Sequence, residues 1–304
     1  MTSPPGRTAA RWTVLSILRA TASFLDEKDV SEARLSAEWL LAHVLDCGRL
    51  DLYLQHDRPL DTSEIERYRA AVRRRLTGEP VQYITGRAGF RGLDLAVDRR
   101  VLIPRPETEV LVGEVLDWAR AEAGRGRAPA AGWRMLDLGT GSGAIAISLA
   151  LELDGLRWAL GLDDSPVALE VARANAARAG ASRTRWMAGD LLEPLRGRFD
   201  AIVSNPPYVA LGERAGLPRE VADWEPAGAL FAGPRGDEAL DRIVDAAAAR
   251  LQPGGLLAIE TGDGQTPAVR ERIEARAGLR WLTDFRDHTG RPRGVLALAR
   301  EDGP

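Results

Sequence analysis

Apolar residues recur at helical spacing through the first 80 positions. Val14, Leu15, Leu18, Ala22 and Leu25 share one face, and Leu35, Trp39, Leu40 and Val44 share another, behind Ser31 as an expected N-cap. A third run opens at Asp61 with Glu64 three residues on, the spacing of a capping box. Ile65, Tyr68, Val72 and Leu76 then line its apolar side, and Gly78 is the expected C′ residue. The run Arg73-Arg74-Arg75 on this helix reads as a solvated face. Glu79-Pro80 ends the helical pattern. Gln82 to Val97 predicts short strands with Gly86, Gly89 and Gly92 as turns, joining two domains.

From Arg134 onward the pattern changes to short buried strands alternating with helices. Strands are expected at Met135–Leu138, Trp158–Leu162, Thr184–Met187, Ala201–Val203 and Leu256–Glu260, the last after the turn Pro253-Gly254-Gly255. Helices are expected at Ala144–Leu153, Pro166–Ala179 (with Ser165 as cap), Asp237–Leu251 and Arg270–Ala277. Trp281–Phe285 and Val295–Leu298 read as an antiparallel hairpin at a sheet edge. Alternation of this kind builds a doubly wound, mostly parallel sheet, the Rossmann-like α/β class. The division expected is a helical domain over 1–80, a linker with a short β-hairpin over 81–100, and a catalytic domain over 101–304. Within the last, an apolar helix from Val110 to Ala121 follows the strip Ile103-Pro104-Arg105-Pro106-Glu107-Thr108-Glu109.

Composition narrows the function classes. The chain has 304 residues, 45% hydrophobic and 28% charged, as in ordinary globular proteins. Its 41 basic and 44 acidic residues nearly cancel, which argues against gripping long nucleic acid through counterion release. Lys28 is the sole lysine, so an individual arginine carries little functional weight. Cys47 stands alone, which excludes an intrachain disulfide, and reads as a semi-buried thiol. His43, His56 and His288 lack metal-ligand spacing, and His43 falls in an apolar helical pattern. No apolar stretch reaches membrane-spanning length, and Met1 to Arg11 has no signal-peptide core, so a cytoplasmic setting is expected.

Two segments carry chemistry. Asn205-Pro206-Pro207-Tyr208 follows the apolar strand Ala201–Ser204, at the strand end where open α/β sheets bind ligands. Asn205 offers a side-chain carbonyl oxygen, and the two prolines hold the backbone extended, so its carbonyls can face a ligand. The result is a rigid pair of acceptors for an –NH2 group, beside an aromatic wall. Asp137-Leu138-Gly139-Thr140-Gly141-Ser142-Gly143 lies between a strand and a helix, where glycines let the backbone approach a ligand closely. Asp163 ends the next strand, twenty residues after Gly143, placed to accept ribose hydroxyls. The third glycine is one place early for a dinucleotide fingerprint, and no lysine completes a phosphate loop. The pattern resembles the first motif of class I S-adenosylmethionine methyltransferases.

The glycine loop, the Asn205 tetrapeptide and the proline-rich strip at Ile103–Glu109 together resemble the PrmC/HemK family. The likeness extends over Gly78-Glu79-Pro80-Val81-Gln82-Tyr83-Ile84 and Glu260-Thr261-Gly262, and so over nearly the whole chain. Those enzymes methylate the side-chain amide of the glutamine in the Gly-Gly-Gln motif of class I peptide chain release factors, which supports translation termination. The resemblance implies S-adenosylmethionine as cofactor, leaving S-adenosylhomocysteine, with no metal. By position it implies that Gly139, Thr140, Gly141, Ser142 and Gly143 contact the cofactor's methionine part and Asp163 its ribose. It puts Asp190 and Leu191 beside the adenine, Leu191 standing where some members carry a large aromatic residue. Asn205, Pro206, Pro207 and Tyr208 would hold the target glutamine, with Asn205 also touching the cofactor. Pro104, Arg105, Pro106 and Glu107 would form a loop covering the cofactor, with a salt-bridged loop as the other reading of Arg105 and Glu107. The partner implied is a release factor met by a monomer, without stable nucleic-acid binding. Three other readings stay open: an adenine-N6 methyltransferase of DNA or RNA, a glutamine methyltransferase acting on a ribosomal protein, and a non-catalytic cofactor-binding adaptor.

Overall fold

The computed structural model describes residues 12–301; the polar start, Met1 to Arg11, lies outside them. Among the described residues the chain divides into two compact units. One runs to Gly86 and includes Arg219–Trp224; the other comprises Arg87–Pro218 and the residues from Glu225 onward. The stretch 81–100 spans the boundary between them. Its first residues form a helix in the first unit, and its hairpin belongs to the second.

The first unit contains α1 (Val14–Asp26), α2 (Ala33–Leu45), α3 (Arg49–Leu54), α4 (Thr62–Leu76) and α5 (Val81–Thr85). Leu25, Leu40, Leu41, Leu52 and Tyr68 close its core. The capping box at α4 forms as expected: Asp61 Oδ1 accepts from the Glu64 N–H at 2.8 Å, and Glu64 Oε2 from the Asp61 N–H at 3.0 Å. Gly78, at φ +89°, follows the α4 C-cap. Three expectations fail here. Ser31 is not the cap of α2, which starts behind Glu32 without a side-chain cap. Trp39 and His43 face solvent, and the Arg49 guanidinium lies over the Trp39 ring. The Arg73-Arg74-Arg75 run is not a uniformly solvated face either. One turn of helix carries Arg75 inward to 5% exposure, where Glu220 pairs with it at 2.7 Å, while Arg74 pairs with Glu79. A buried guanidinium persists only when paired in this way.

The second unit opens with the hairpin β1 (Arg87–Phe90) and β2 (Leu93–Ala96), which turns at Arg91-Gly92; Gly89 lies inside its first strand rather than in a turn. Helix α6 (Pro106–Gly124) starts four residues before the expected Val110. Pro106 suits its first position, and Glu107 and Glu109 complement the positive end of its dipole. Then come β3 (Trp133–Leu138), α7 (Ala144–Glu152), β4 (Leu156–Asp163), α8 (Pro166–Ala179), β5 (Thr184–Ala188) and β6 (Phe199–Ser204). A connection absent from the expected pattern follows, with β7 (Val209–Ala210), a 3-10 turn, α9 (Arg219–Ala222, counted with the first unit), α10 (Ala227–Leu230) and β8 (Phe231–Gly233). The chain ends in α11 (Glu238–Arg250), β9 (Leu251–Glu260), α12 (Thr266–Glu274), β10 (Leu279–Arg286) and β11 (Pro292–Ala299).

Seven strands form the main sheet in the order β10-β11-β9-β6-β3-β4-β5. The five from β9 to β5 run parallel, and β11 and β10 pair antiparallel at one edge. Alternate residues of the inner strands feed two cores: Met135, Ala201 and Val203 meet α6 and α7, while Leu136, Leu138 and Ile202 meet α11 and α12. That period of two, with both faces apolar, is why these strands read as continuous hydrophobic runs. From β3 the chain moves outward to β4 and β5, then returns to β6 on the other side. The carboxyl ends of β3 and β6 therefore flank the point where strand order reverses, which is where such sheets bind ligands.

Candidate active site

Register brings the expected residues to one edge of the sheet. Leu138 pairs with Ser204 and with Leu162, and Ser204 pairs with Ile259. The residues that follow each strand are therefore neighbours: Gly139 after β3, Asp163 closing β4, Asn205 after β6 and Glu260 closing β9. The Ser204 hydroxyl donates to the Leu138 carbonyl at 2.9 Å and ties the two central strand ends together.

The glycine loop turns through Gly139, Gly141 and Gly143, at φ +69°, +52° and +83°. A side chain at Gly143 would press on Ile147, Trp186 and Ala172, whereas in front of Gly139 there is open space. The loop is held from below by Asp137, whose Oδ2 accepts from the Thr140 hydroxyl at 2.5 Å and the Ala146 N–H at 3.1 Å. Asn175 Nδ2 donates to the Ser142 and Ala96 carbonyls and fixes the loop's far end.

Asp137 is 1% exposed, and its Oδ1 has no hydrogen-bond partner. Burial pushes its carboxyl up to about 7, only partly opposed by the Thr140 and Ala146 bonds. This folded value exceeds that of the unfolded chain, so the folded protein holds an extra proton between about pH 4 and pH 7. Stability from this group is complete below that range and is lost as pH rises through it, by roughly 2–4 kcal/mol. Asp137→Asn removes the titration. Urea unfolding at pH 5 and pH 8 should show the wild-type protein losing this increment relative to the variant.

Asp163 accepts the Gly141 N–H at 2.8 Å on one oxygen and the Ser165 N–H at 2.9 Å on the other. Burial raises its pKa, and the two backbone donors oppose the rise. A carboxylate has about four acceptor sites, so two remain for a ligand's hydroxyls. An open glycine turn, a buried acid one strand away and the half-buried Leu191 beyond β5 together fit a nucleoside cofactor. Asp190 differs from its neighbours: its side chain is 53% exposed and paired with Arg242 at 2.8 Å. Leu191 adopts φ +45°, a left-handed geometry rare for leucine, and packs against the second core.

Asn205 and Tyr208 are half-buried and Pro206 is buried. Asn205 Nδ2 donates to the Thr108 hydroxyl at 2.9 Å, and that hydroxyl donates to Glu260 Oε2 at 2.7 Å. Burial pushes Tyr208 up to about 12, with Glu260 adding to the shift, so the ring carries a neutral hydroxyl. The Tyr208 carbonyl accepts from Gln265 Nε2 at 2.9 Å. The strip Pro104–Glu107 is not a free loop. Pro106 and Glu107 lie in the first turn of α6, and Arg105 pairs with Glu225 at 2.5 Å. Glu225 is buried and also accepts from the Ile103 N–H. The salt bridge of Arg105 is thus made with Glu225 and not with Glu107.

Thr108, Glu260 and Glu225 were not singled out by sequence as site residues. Glu260 had a signal: a carboxylate ending the apolar run Leu256–Ile259 at the ligand end of a strand. Glu225 had none, because its partners lie more than a hundred residues away. Cys47 belongs to the first unit and is half-buried, and desolvation pushes its thiol up, the opposite of a nucleophile. Among the described residues no helix is long and apolar enough to cross a membrane.

The chain is similar to known proteins over most of its length. Residues 16–86 match the PrmC N-terminal domain, and residues 127–217 match the methyltransferase small domain. The release factor glutamine methyltransferase of Chlorobaculum tepidum is 48% identical over 95% of this chain and 98% of its own length. That of Geobacter sulfurreducens is 44% identical over 85% of this chain and 87% of its own. That of Koribacter versatilis is 41% identical over 90% and 93%. Likeness of this degree, running through both the helical unit and the sheet that carries Asn205, makes the chain a member of the release factor glutamine methyltransferase family, enzymes dependent on S-adenosylmethionine.

Proposed function

We propose that this protein transfers a methyl group from S-adenosylmethionine to the side-chain amide nitrogen of the glutamine in the Gly-Gly-Gln motif of class I release factors. The observation that carries the reading is the pairing of β3 with β6, which sets the glycine loop beside the Asn205-Pro206-Pro207-Tyr208 segment. In this reading Gly139 to Gly143 and Asp163 hold the cofactor, with Asp190 and Leu191 at its adenine end. Bound S-adenosylmethionine supplies an electrophilic methyl on a cationic sulfonium. Everything else is done by the chain's own groups.

An amide nitrogen is a poor nucleophile because its lone pair is delocalised into the carbonyl. The Asn205 Oδ1 and the Pro206 carbonyl accept hydrogen bonds from its two N–H groups and orient the lone pair, and one of those hydrogens leaves as a proton after the methyl is attached. Pro206 and Pro207 keep these acceptors rigid, so little reorganisation is needed at the moment of transfer. Tyr208, neutral and fixed through its carbonyl by Gln265, walls the slot and offers a ring face to passing positive charge, worth about 0.5–2 kcal/mol. The enzyme acts as a cytoplasmic monomer.

Incubation of purified release factor with the protein and S-adenosylmethionine should add the mass of one methyl group to the Gly-Gly-Gln peptide. Label appearing instead in duplex DNA, or in a ribosomal protein, would reject this substrate.

A further inference from the structure

We propose that Thr108 and Glu260 form a directional relay that fixes which end of the Asn205 carboxamide faces the substrate slot, making both positioning residues for methyl transfer. The inference rests on the reading that Asn205 Oδ1 accepts a hydrogen from the target amide. A carboxamide has nearly the same shape either way round, so packing cannot tell its oxygen from its nitrogen. Hydrogen bonds must make the choice.

Here the choice is forced by counting hydrogens. Thr108, 5% exposed, sits in the first turn of α6, and Glu260, 1% exposed, closes β9. A hydroxyl has one hydrogen to give, and an ionised carboxylate has none. The Thr108 hydrogen is committed to Glu260 Oε2, so the hydroxyl turns only lone pairs toward Asn205. Only Nδ2 can meet them, as it does at 2.9 Å, which leaves Oδ1 for the slot. Turning the amide over would set oxygen against oxygen and aim a donor at the substrate's own donors.

The relay depends on the charge of Glu260. The charged or titratable groups facing it are Glu107 on α6, Arg105 just before that helix, Tyr208 after β6, and Arg293 on β11, itself paired with Asp287. Burial dominates and pushes Glu260 up to about 7; Glu107 adds to this, while Thr108, Arg293 and Arg105 oppose it. Once protonated, Glu260 can donate to Thr108. The threonine hydrogen is then free to point at Asn205, and the amide loses its enforced direction. Transfer should therefore be sustained above about pH 7 and decline as pH falls through it.

The test uses Thr108→Val, which keeps shape and removes the hydroxyl, with Thr108→Ser as the rescue. Assayed on purified release factor at pH 8, Thr108→Val should lower kcat about 10- to 100-fold and leave the cofactor Kd within about twofold. Thr108→Ser should restore kcat to within about fivefold of wild type. In an Asn205→Ala background, Thr108→Val should cost less than about threefold, because its effect passes through Asn205. The wild-type fall in kcat below pH 7 should flatten in Glu260→Gln. Wild-type kcat in Thr108→Val, an equal loss in both backgrounds, or identical pH profiles for wild type and Glu260→Gln would overturn the relay. A wild-type protein unable to methylate release factor rejects the substrate reading instead, so the two failures are distinguishable.

Discussion

Asn205→Ala should lower the rate of methyl transfer to release factor about 10³-fold while leaving cofactor affinity within a few-fold of wild type. The split follows from where the side chain points. Its nitrogen is engaged by Thr108, and the proposed mechanism assigns its oxygen to the substrate amide. Removing one preorganised hydrogen-bonding dipole typically costs 10²- to 10³-fold, and in the proposed mechanism the same dipole also orients the attacking nitrogen. The fold should tolerate the change. Thr108 keeps its bond to Glu260, and Asn205 is only half-buried, so no interior donor is stranded. Single-turnover transfer of labelled methyl, run beside calorimetric titration with S-adenosylhomocysteine, separates the two effects. Transfer at the wild-type rate would remove Asn205 from the mechanism.

Asp163→Asn should weaken cofactor binding about 100-fold, nearly as much as Asp163→Ala. Asparagine is usually a mild replacement for aspartate, but the geometry here rejects it. Both Asp163 oxygens accept backbone N–H groups, from Gly141 on one side and Ser165 on the other. An amide has one oxygen, so its NH2 must face one of these donors. Either way a partly buried N–H loses its partner, at about 1–3 kcal/mol, and the glycine turn loosens in addition to losing the proposed ribose acceptor. Isothermal titration with S-adenosylhomocysteine gives the affinity directly. Wild-type affinity in Asp163→Asn would mean that the acid shapes the loop without holding the ligand.

Much of this was visible in the order of residues. Ser165-Pro166 marks the start of α8 because caps are local chemistry, and the α8 bounds match the expected Pro166–Ala179. The glycine loop, Asp163 and Asn205 were legible because each follows a buried apolar strand, and a parallel sheet leaves strand ends few places to go. What stayed hidden depends on distant partners. Arg75 looked solvated because Glu220, which neutralises it, lies far along the chain. In sequence the first turn of α6 resembles a loop because Pro104 and Pro106 suggest irregular backbone, yet a proline at the first helical position begins a helix. The short elements between Tyr208 and Gly236 carry too few apolar residues to show a period. The Thr108–Glu260 contact spans 152 positions, and no local pattern reports it.

The pairing of β3 with β6 also governs when the enzyme can first work. Two α/β crossovers must be completed before those strands meet, and Glu260 joins only after β9 has docked beside β6. Contacts of such long sequence separation close slowly, because chain entropy is lost before any partner rewards it. During synthesis the glycine turn can form early, but it stays chemically idle until the later strands emerge from the ribosome and zip alongside.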